Sequence, residues 1–228
     1  MNVMTKFPSF AESLVVSGRG RPSGGRRSSF APRAALVFLA FLCGAQPASA
    51  APEVYGFDKD HTEVRFSWDH LGLSRQSGRF NDIEGTVVFD AEKPEASSID
   101  VRIPVKSLST GVTALDDVLI KGQDYIDAGR HPMITFKSST ISMSTARTAN
   151  VEGELTFNGV TRPVTLSVVW NFSGEHPLAR INPVYSGIYA SGFSARTQIL
   201  RSEFGVSRSI PLISDEIRIT IETELHRR

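Results

Sequence analysis

Stretch after stretch of the chain alternates apolar and polar residues with period two. Val64, Phe66 and Trp68 alternate with Glu63, Arg65, Ser67 and Asp69. Ile99, Val101, Ile103 and Val105 alternate with Asp100, Arg102 and Lys106. The same pattern runs through Val151, Leu155 and Phe157, through Val164, Leu166, Val168 and Trp170, and through Ile217, Ile219 and Ile221. Successive side chains of a strand point to opposite faces, so each stretch has one dry and one wet face. That is the pattern of antiparallel sheet, because parallel strands are usually dry on both sides. With less regular runs added, strands are expected near 62–70, 78–90, 97–106, 132–143, 150–158, 162–172, 187–200 and 215–225. Turn signals fall at Glu92-Lys93-Pro94, Asn158-Gly159 and Ser173-Gly174. Asn158-Gly159, between two alternating runs, is the clearest hairpin signal.

One segment departs from period two. Residues 113–127 place Leu115, Val118, Leu119 and Tyr125 on one helical side, with Thr113 as a capping residue. Gly122 weakens its middle, so two short helical turns suit the segment as well as one helix, and Gly129 and Pro132 end it.

Eight strands with one dry face each form one all-β domain. They can pair as a two-sheet sandwich or close into an eight-stranded antiparallel barrel, and the alternation alone does not choose. The dry positions are rich in aromatics: Phe66, Trp68, Phe89, Phe136, Phe157 and Trp170. They suit a solid core and a lined cavity equally well.

Charge divides the chain. Residues 1–50 hold six bases and one acid, leaving 19 bases and 23 acids after Ala50. The remainder is mildly acidic and has no basic stripe for nucleic acid. The basic start, the apolar run Ala34–Leu42 and Ala48-Ser49-Ala50 follow the order of a secretory signal. Residues 1–50 are therefore expected to be removed, leaving 51–228 in the periplasm. Arg26-Arg27-Ser28-Ser29-Phe30 loosely resembles a twin-arginine signal, but its spacing favours general secretion. Cys43, the single cysteine, lies inside this signal, so the rest of the chain can form no disulfide.

No HExxH, GxSxG or phosphate-binding glycine loop is present. Asp60, His61 and His70 could in principle meet at a metal, and His61, His70 and Asp69 could supply an acid and a base. They read more simply as hydrogen-bonding residues at strand ends. Asp116-Asp117 and Glu222/Glu224 read as solvated faces. No catalytic residue, metal or required cofactor is expected.

An ordered set of short motifs resembles the YceI-like family of polyisoprenoid-binding proteins. It opens with the stretch from Asp60 to Gly72 and continues through Gly78-Arg79-Phe80, Gly85 to Asp90, Val105 to Gly111, and Asp117 with Leu119. His131 to Phe136, the specific stretch Gly153 to Val164, Arg201 to Gly205 and the strand after Asp215 complete it. The resemblance implies a lipocalin-like barrel whose cavity takes an isoprenoid chain, such as that of a quinone or a polyprenyl lipid. On that basis the chain is expected to be a periplasmic binding or carrier protein. Phe66, Trp68, Phe89, Ile103, Phe136, Leu155, Phe157 and Phe204 are the expected lining. Seven of them follow from strand parity and Phe204 from the family motif. Arg201 and Glu203 are expected to pair near a barrel end. The partner is an isoprenoid or other long apolar small molecule, with transient membrane contact for lipid exchange and a homodimer both compatible. Two departures stand out: Thr62 replaces the family's usual Ser, and the stretch from Glu175 to Ser191 matches no family pattern. A rival reading is an envelope interaction or stress-related protein with a filled barrel, acting through its surface or the 175–191 loop. A third is an enzyme acting on an isoprenoid.

Overall fold

A computed structural model describes residues 51–228. The expected secretion signal over 1–50 lies outside the described residues. In chain order the elements are β1 (Glu53–Phe57), β2 (Glu63–His70), β3 (Ser74–Phe80), β4 (Glu84–Phe89), β5 (Ser98–Pro104), β6 (Leu108–Ser109), α1 (Thr113–Lys121), β7 (Met133–Thr145), β8 (Thr148–Phe157), β9 (Val160–Glu175), β10 (Tyr189–Leu200) and β11 (Glu216–Arg227). Every pairing is antiparallel, in the order β1-β4-β5-β7-β8-β9-β10-β11-β2-β3-β6, and β1 also pairs with β11.

Three neighbouring segments are interrupted single strands. A 3-10 turn at Lys59–His61 breaks β1 from β2, and both segments pair with β11. β3 and β4 are separated by residues 81–83, and a 3-10 turn at Val105–Ser107 separates β5 from β6. With each broken pair counted as one, the sheet is an eight-stranded meander that closes on itself. The barrel is thereby chosen over the sandwich, and closure leaves few edges exposed.

Local chemistry explains the turns. Asn158 and Gly159 both have positive φ, 50° and 75°, as a type I′ hairpin requires. Leu71 and Gly72 repeat that conformation at the β2–β3 turn, with φ of 57° and 70°. Leu is a poor residue for it, and the sequence signals no turn there. The expected turn at Ser173-Gly174 is a correction: β9 continues to Glu175 and the connection falls at 176–188. The single strand expected over 78–90 is β3 and β4, and β1 was not foreseen.

The helix is shorter than the 113–127 segment. It ends at Lys121 with Gly122 as its cap. Thr113 does not cap it: the N-cap is Val112, which offers no side-chain bond. Instead Asp116 Oδ1 accepts from the Thr110 N–H and Oγ1–H at 2.7 and 2.6 Å, fixing the approach. Leu119 and Ile120 face the core while Val118 is exposed, so the buried stripe is rotated from the one expected.

Inside, two apolar clusters form. The larger includes Val64, Val101, Ile103, Val105, Ile134, Phe136, Val151 and Leu166, with Leu119, Ile120 and Ile126 covering it from the helical connection. The smaller joins Tyr55, Val87, Phe89 and Leu225, flanked by Trp170 and Phe193. Phe57 and Ile99 touch both. Gly153 leaves room for a ring: a Cβ there would lie 2.5 Å from Phe136 Cζ and from the Lys137 carbonyl oxygen.

Candidate functional site

The barrel wall is packed unevenly. On β4, β5, β7 and β8 the inward residues Val87, Phe89, Val101, Ile103, Ile134, Phe136 and Val151 are buried, while Ile99, Ile141, Leu155 and Phe157 are partly so. On the opposite wall parity also turns Ile217, Ile219 and Ile221 of β11 inward, yet each stays only partly buried between two neighbouring strands. Phe66 pairs with Ile219 and is likewise partly buried. Val164, Val168 and Ile199 complete the loosely covered surface. Phe66, Val164, Val168, Ile219 and Ile221 pack against the larger cluster and still keep accessible surface that a bound apolar molecule could cover.

This wall also opens. β9 and β10 pair from Tyr189↔Glu175 to Arg196↔Ser167 and then diverge. Residues 160–166 pair only with β8, and Thr197 to Leu200 only with β11. A cleft of about 840 Å³ occupies the divergence, with Val164, Ile199, Phe204 and Ile219 among its lining. Arg162, Arg196, Arg218, Glu203 and Glu216 supply its polar side. By strand parity Arg162 shares the inward face of Val164 and Leu166, and it is exposed at the strand's start. Arg218 is engaged by Glu216 at 2.7 Å and by Asp69 at 3.3 Å.

The 3-10 turn Arg201–Phe204 closes the inner end of this cleft. Phe204 is 1% exposed and packs against Phe157 at 5.7 Å between ring centroids. Asn158 Nδ2 donates to the Phe204 carbonyl at 3.1 Å. The expected Arg201–Glu203 pair is absent among the described residues, which is a correction. The buried Arg201 guanidinium donates instead to the carbonyls of Ser214, Val206 and Ile213 at 2.9–3.0 Å. Burial pushes its pKa down, opposed by the nearby Asp215. The motif is thus an internal brace that orders the 201–215 connection.

The eight expected lining residues therefore divide. Phe66, Leu155 and Phe157 keep accessible surface against the larger cluster. Ile103 and Phe136 are built into that cluster, and Phe89 belongs to the smaller one. Trp68 is buried and stacks on Phe66 at 5.8 Å, and Phe204 is the plug. Val164, Ile199 and Ile219, which line the cleft, and Ile221, which keeps accessible surface beside Ile219, were not among the expected residues. Alternation identified Val164, Ile219 and Ile221 as dry, but nothing in it separates a dry position from one facing a void.

A second, smaller cleft of about 450 Å³ lies under the 176–188 connection, lined by His61, Phe172, His176, Leu178, Tyr185, Phe193 and Glu224, among others. The Asp60–His61–His70 grouping does not form. Asp69 is held by Arg75 and Arg218, which keep its carboxyl below the usual range, the Arg75 hydrogen bond most of all. His61 instead joins Asp58 and Glu224, and their donor atoms lie within 4.8 Å of one another.

Comparison with known proteins places this architecture. A relative from Azotobacter vinelandii called a UPF0312 protein is 32% identical over 84% of this chain and 95% of its own length. Among solved structures, BcnA of Burkholderia cenocepacia superimposes with TM-score 0.64 at 25% identity, covering 74% of this chain and 98% of BcnA. The YceI protein of Campylobacter jejuni gives 0.62 at 26% identity, covering 70% and 90%. A polyisoprenoid-binding domain from Saccharophagus degradans shares the fold alone, with TM-score 0.53 at 12% identity, covering 76% and 98%. The YceI-like domain model matches residues 55–225, and the chain belongs to the YceI-like family.

Proposed function

We propose that this chain is a periplasmic carrier that holds an isoprenoid-type lipid, such as a quinone or polyprenyl chain, in its barrel. The observation that carries this reading is the partly accessible wall beside the larger cleft: Phe66, Val164, Ile199, Ile219 and Ile221 point inward and keep accessible surface. The cleft volume lies within the range of small-molecule sites. Burying each CH₂ of a tail is worth about 0.8 kcal/mol, so several isoprene units gain on the order of ten kcal/mol gross before the costs of association. Such binding is non-directional and needs shape and dry walls more than placed donors. The diverging ends of β9 and β10 form the entrance, with the polar head beside Arg162 and Arg196. The polyisoprenoid-binding relative of the same fold supports the ligand class.

Exchange with a membrane fits the outer surface. Leu71 and Leu73 at the β2–β3 tip are 46% and 81% exposed, and Leu212 beside them is 64% exposed. Leu71 N–H donates to the Leu212 carbonyl at 2.8 Å, which sets the three together. A leucine held at φ 57° carries backbone strain of order 1 kcal/mol and projects an apolar side chain into solvent.

Solvent extraction of protein purified after expression of the full chain, followed by mass spectrometry, tests the ligand. One isoprenoid lipid per barrel is expected. Protein that neither carries nor takes up any isoprenoid from vesicles overturns the reading. Fractionation with N-terminal sequencing tests the location: periplasmic protein beginning at Ala51 is expected, and uncleaved cytoplasmic protein contradicts it. The rival interaction role draws on exposed Ile181 and Val184 in the 176–188 connection. Deleting that connection separates the two, since a carrier keeps its lipid and an interaction protein loses its partner.

A further inference from the structure

The outer face of the barrel's closing seam gathers four metal-ligating side chains. Asp58 precedes the 3-10 turn between β1 and β2, and His61 ends it. Glu224 and His226 are two apart on β11, with inward, buried Leu225 between them, so they share its outer face. Backbone and hydroxyl bonds fix the seam. Asp58 N–H donates to the Glu224 carbonyl at 2.9 Å, and the Thr62 and Thr223 hydroxyls meet at 2.9 Å. Asp58 Oδ1 is occupied by the Asp60 N–H at 3.1 Å, which leaves Oδ2 for the cluster.

His61 Nδ1 lies 2.8 Å from Asp58 Oδ2, and the donor atoms of Asp58, His61 and Glu224 are all within 4.8 Å of one another. His226 Nε2 lies 3.6 Å from the same Oδ2. That nitrogen is shut off from solvent and has no hydrogen-bond partner. A surface ion pair accounts for Asp58 with His61. It leaves the enclosed His226 nitrogen without a hydrogen bond, 3.6 Å from an oxygen already engaged by His61.

We propose that Asp58, His61, Glu224 and His226 form a binding site for a divalent transition-metal cation of the zinc class. Tetrahedral zinc with bonds of about 2.0–2.1 Å sets its donors about 3.3 Å apart. The 2.8 and 3.6 Å separations of the two imidazole nitrogens from Asp58 Oδ2 bracket that spacing. Glu224 completes the 4.8 Å group with Asp58 and His61, and His226, outside that group, must draw in on binding. Two imidazoles favour zinc, nickel or copper over the oxygen-seeking calcium and magnesium. Binding displaces the proton shared by His61 and Asp58 and satisfies the His226 nitrogen. The ion ties the break between β1 and β2 to β11, the strand that closes the barrel. His61 and Glu224 also line the smaller cleft, so the ion is reached from solvent. The site is on the outer face and is independent of the lipid reading.

Zinc titration by calorimetry tests this, on metal-stripped, tag-free protein from expression of the full chain. Imidazole nitrogen NMR is recorded in parallel. A single site with Kd on the order of micromolar is expected, with zinc shifting the His61 and His226 resonances. The double substitution His61→Gln, Glu224→Gln weakens binding by about tenfold or more while leaving the zinc-free melting temperature unchanged. If that variant unfolds, Asp58→Asn keeps the capping acceptor and gives the same loss. Binding weaker than millimolar, wild-type affinity in the folded variants, or shifts confined to His70, His131 or His176 overturns the proposal.

Discussion

The two walls of this barrel have the same sequence grammar and different interiors. On β5, β7 and β8 the inward residues Val101, Ile103, Ile134, Phe136 and Val151 are packed against one another. At Ile217, Ile219 and Ile221 of β11, and at Phe66 of β2, inward residues of the same chemistry keep accessible surface, whereas Leu225 at the far end of β11 is buried. The difference lies in what faces them. Phe136 fills the space over Gly153, and the helical connection caps that side with Leu119, Ile120 and Ile126. Between β9 and β10 the ladder stops at Arg196↔Ser167, and beyond it Phe204 closes only the inner end of the cleft that opens there. Alternation therefore reports which residues avoid water in the wall, while the presence of a void depends on residues far away in sequence.

The packed wall should be brittle. Phe136→Ala removes a ring from a filled site and is expected to lower unfolding free energy by about 3–5 kcal/mol in urea titration. A loss under about 1 kcal/mol would mean that this wall is no better packed than its counterpart. Gly153→Ala pushes a methyl into the Phe136 ring and the Lys137 carbonyl, and a loss of about 1–3 kcal/mol is expected from overpacking. A neutral result would show that the ring has room to move.

The open wall should respond in the opposite way. Ile219→Trp adds bulk where space exists, so stability should stay within about 1 kcal/mol of the parent while lipid content falls sharply. A large loss of stability would place Ile219 in a filled core. The smallest effect is expected outside the barrel. Leu71→Gly releases the strained φ of 57° and should stabilise by roughly 0.5–1 kcal/mol. It should also slow lipid transfer between protein and vesicles, and unchanged transfer would detach this tip from exchange.

The strands were legible because each buries one face, and period two records that directly. The Asn158-Gly159 turn was legible because those residues tolerate positive φ, whereas the equivalent turn at Leu71 was hidden by a residue that resists it. β1 escaped because its five residues hold only a brief alternation, Tyr55 and Phe57, before the Asp58 turn. The helix was found at the right place with its inward face partly right, Leu119 packing on the core and Val118 facing out, since α1 is too short for periodicity to fix a side. Of the expected lining, Phe66, Leu155 and Phe157 keep surface to offer, while Ile103 and Phe136 pack within the larger cluster and Phe89 within the smaller. Arg201 was expected to pair with Glu203 rather than line a cavity, and its partners are carbonyls brought in by the 205–214 connection, which no local pattern announces.

The most direct test of the carrier account is native mass spectrometry of the parent protein and Ile219→Trp, each isolated from the same cells and compared with Phe136→Ala. The account predicts one isoprenoid-sized adduct per barrel in the parent, and less than about a tenth of that occupancy in a stably folded Ile219→Trp, the loss being steric exclusion from a site of fixed volume. A parent barrel that is empty, or an Ile219→Trp protein as fully loaded as the parent, would contradict it.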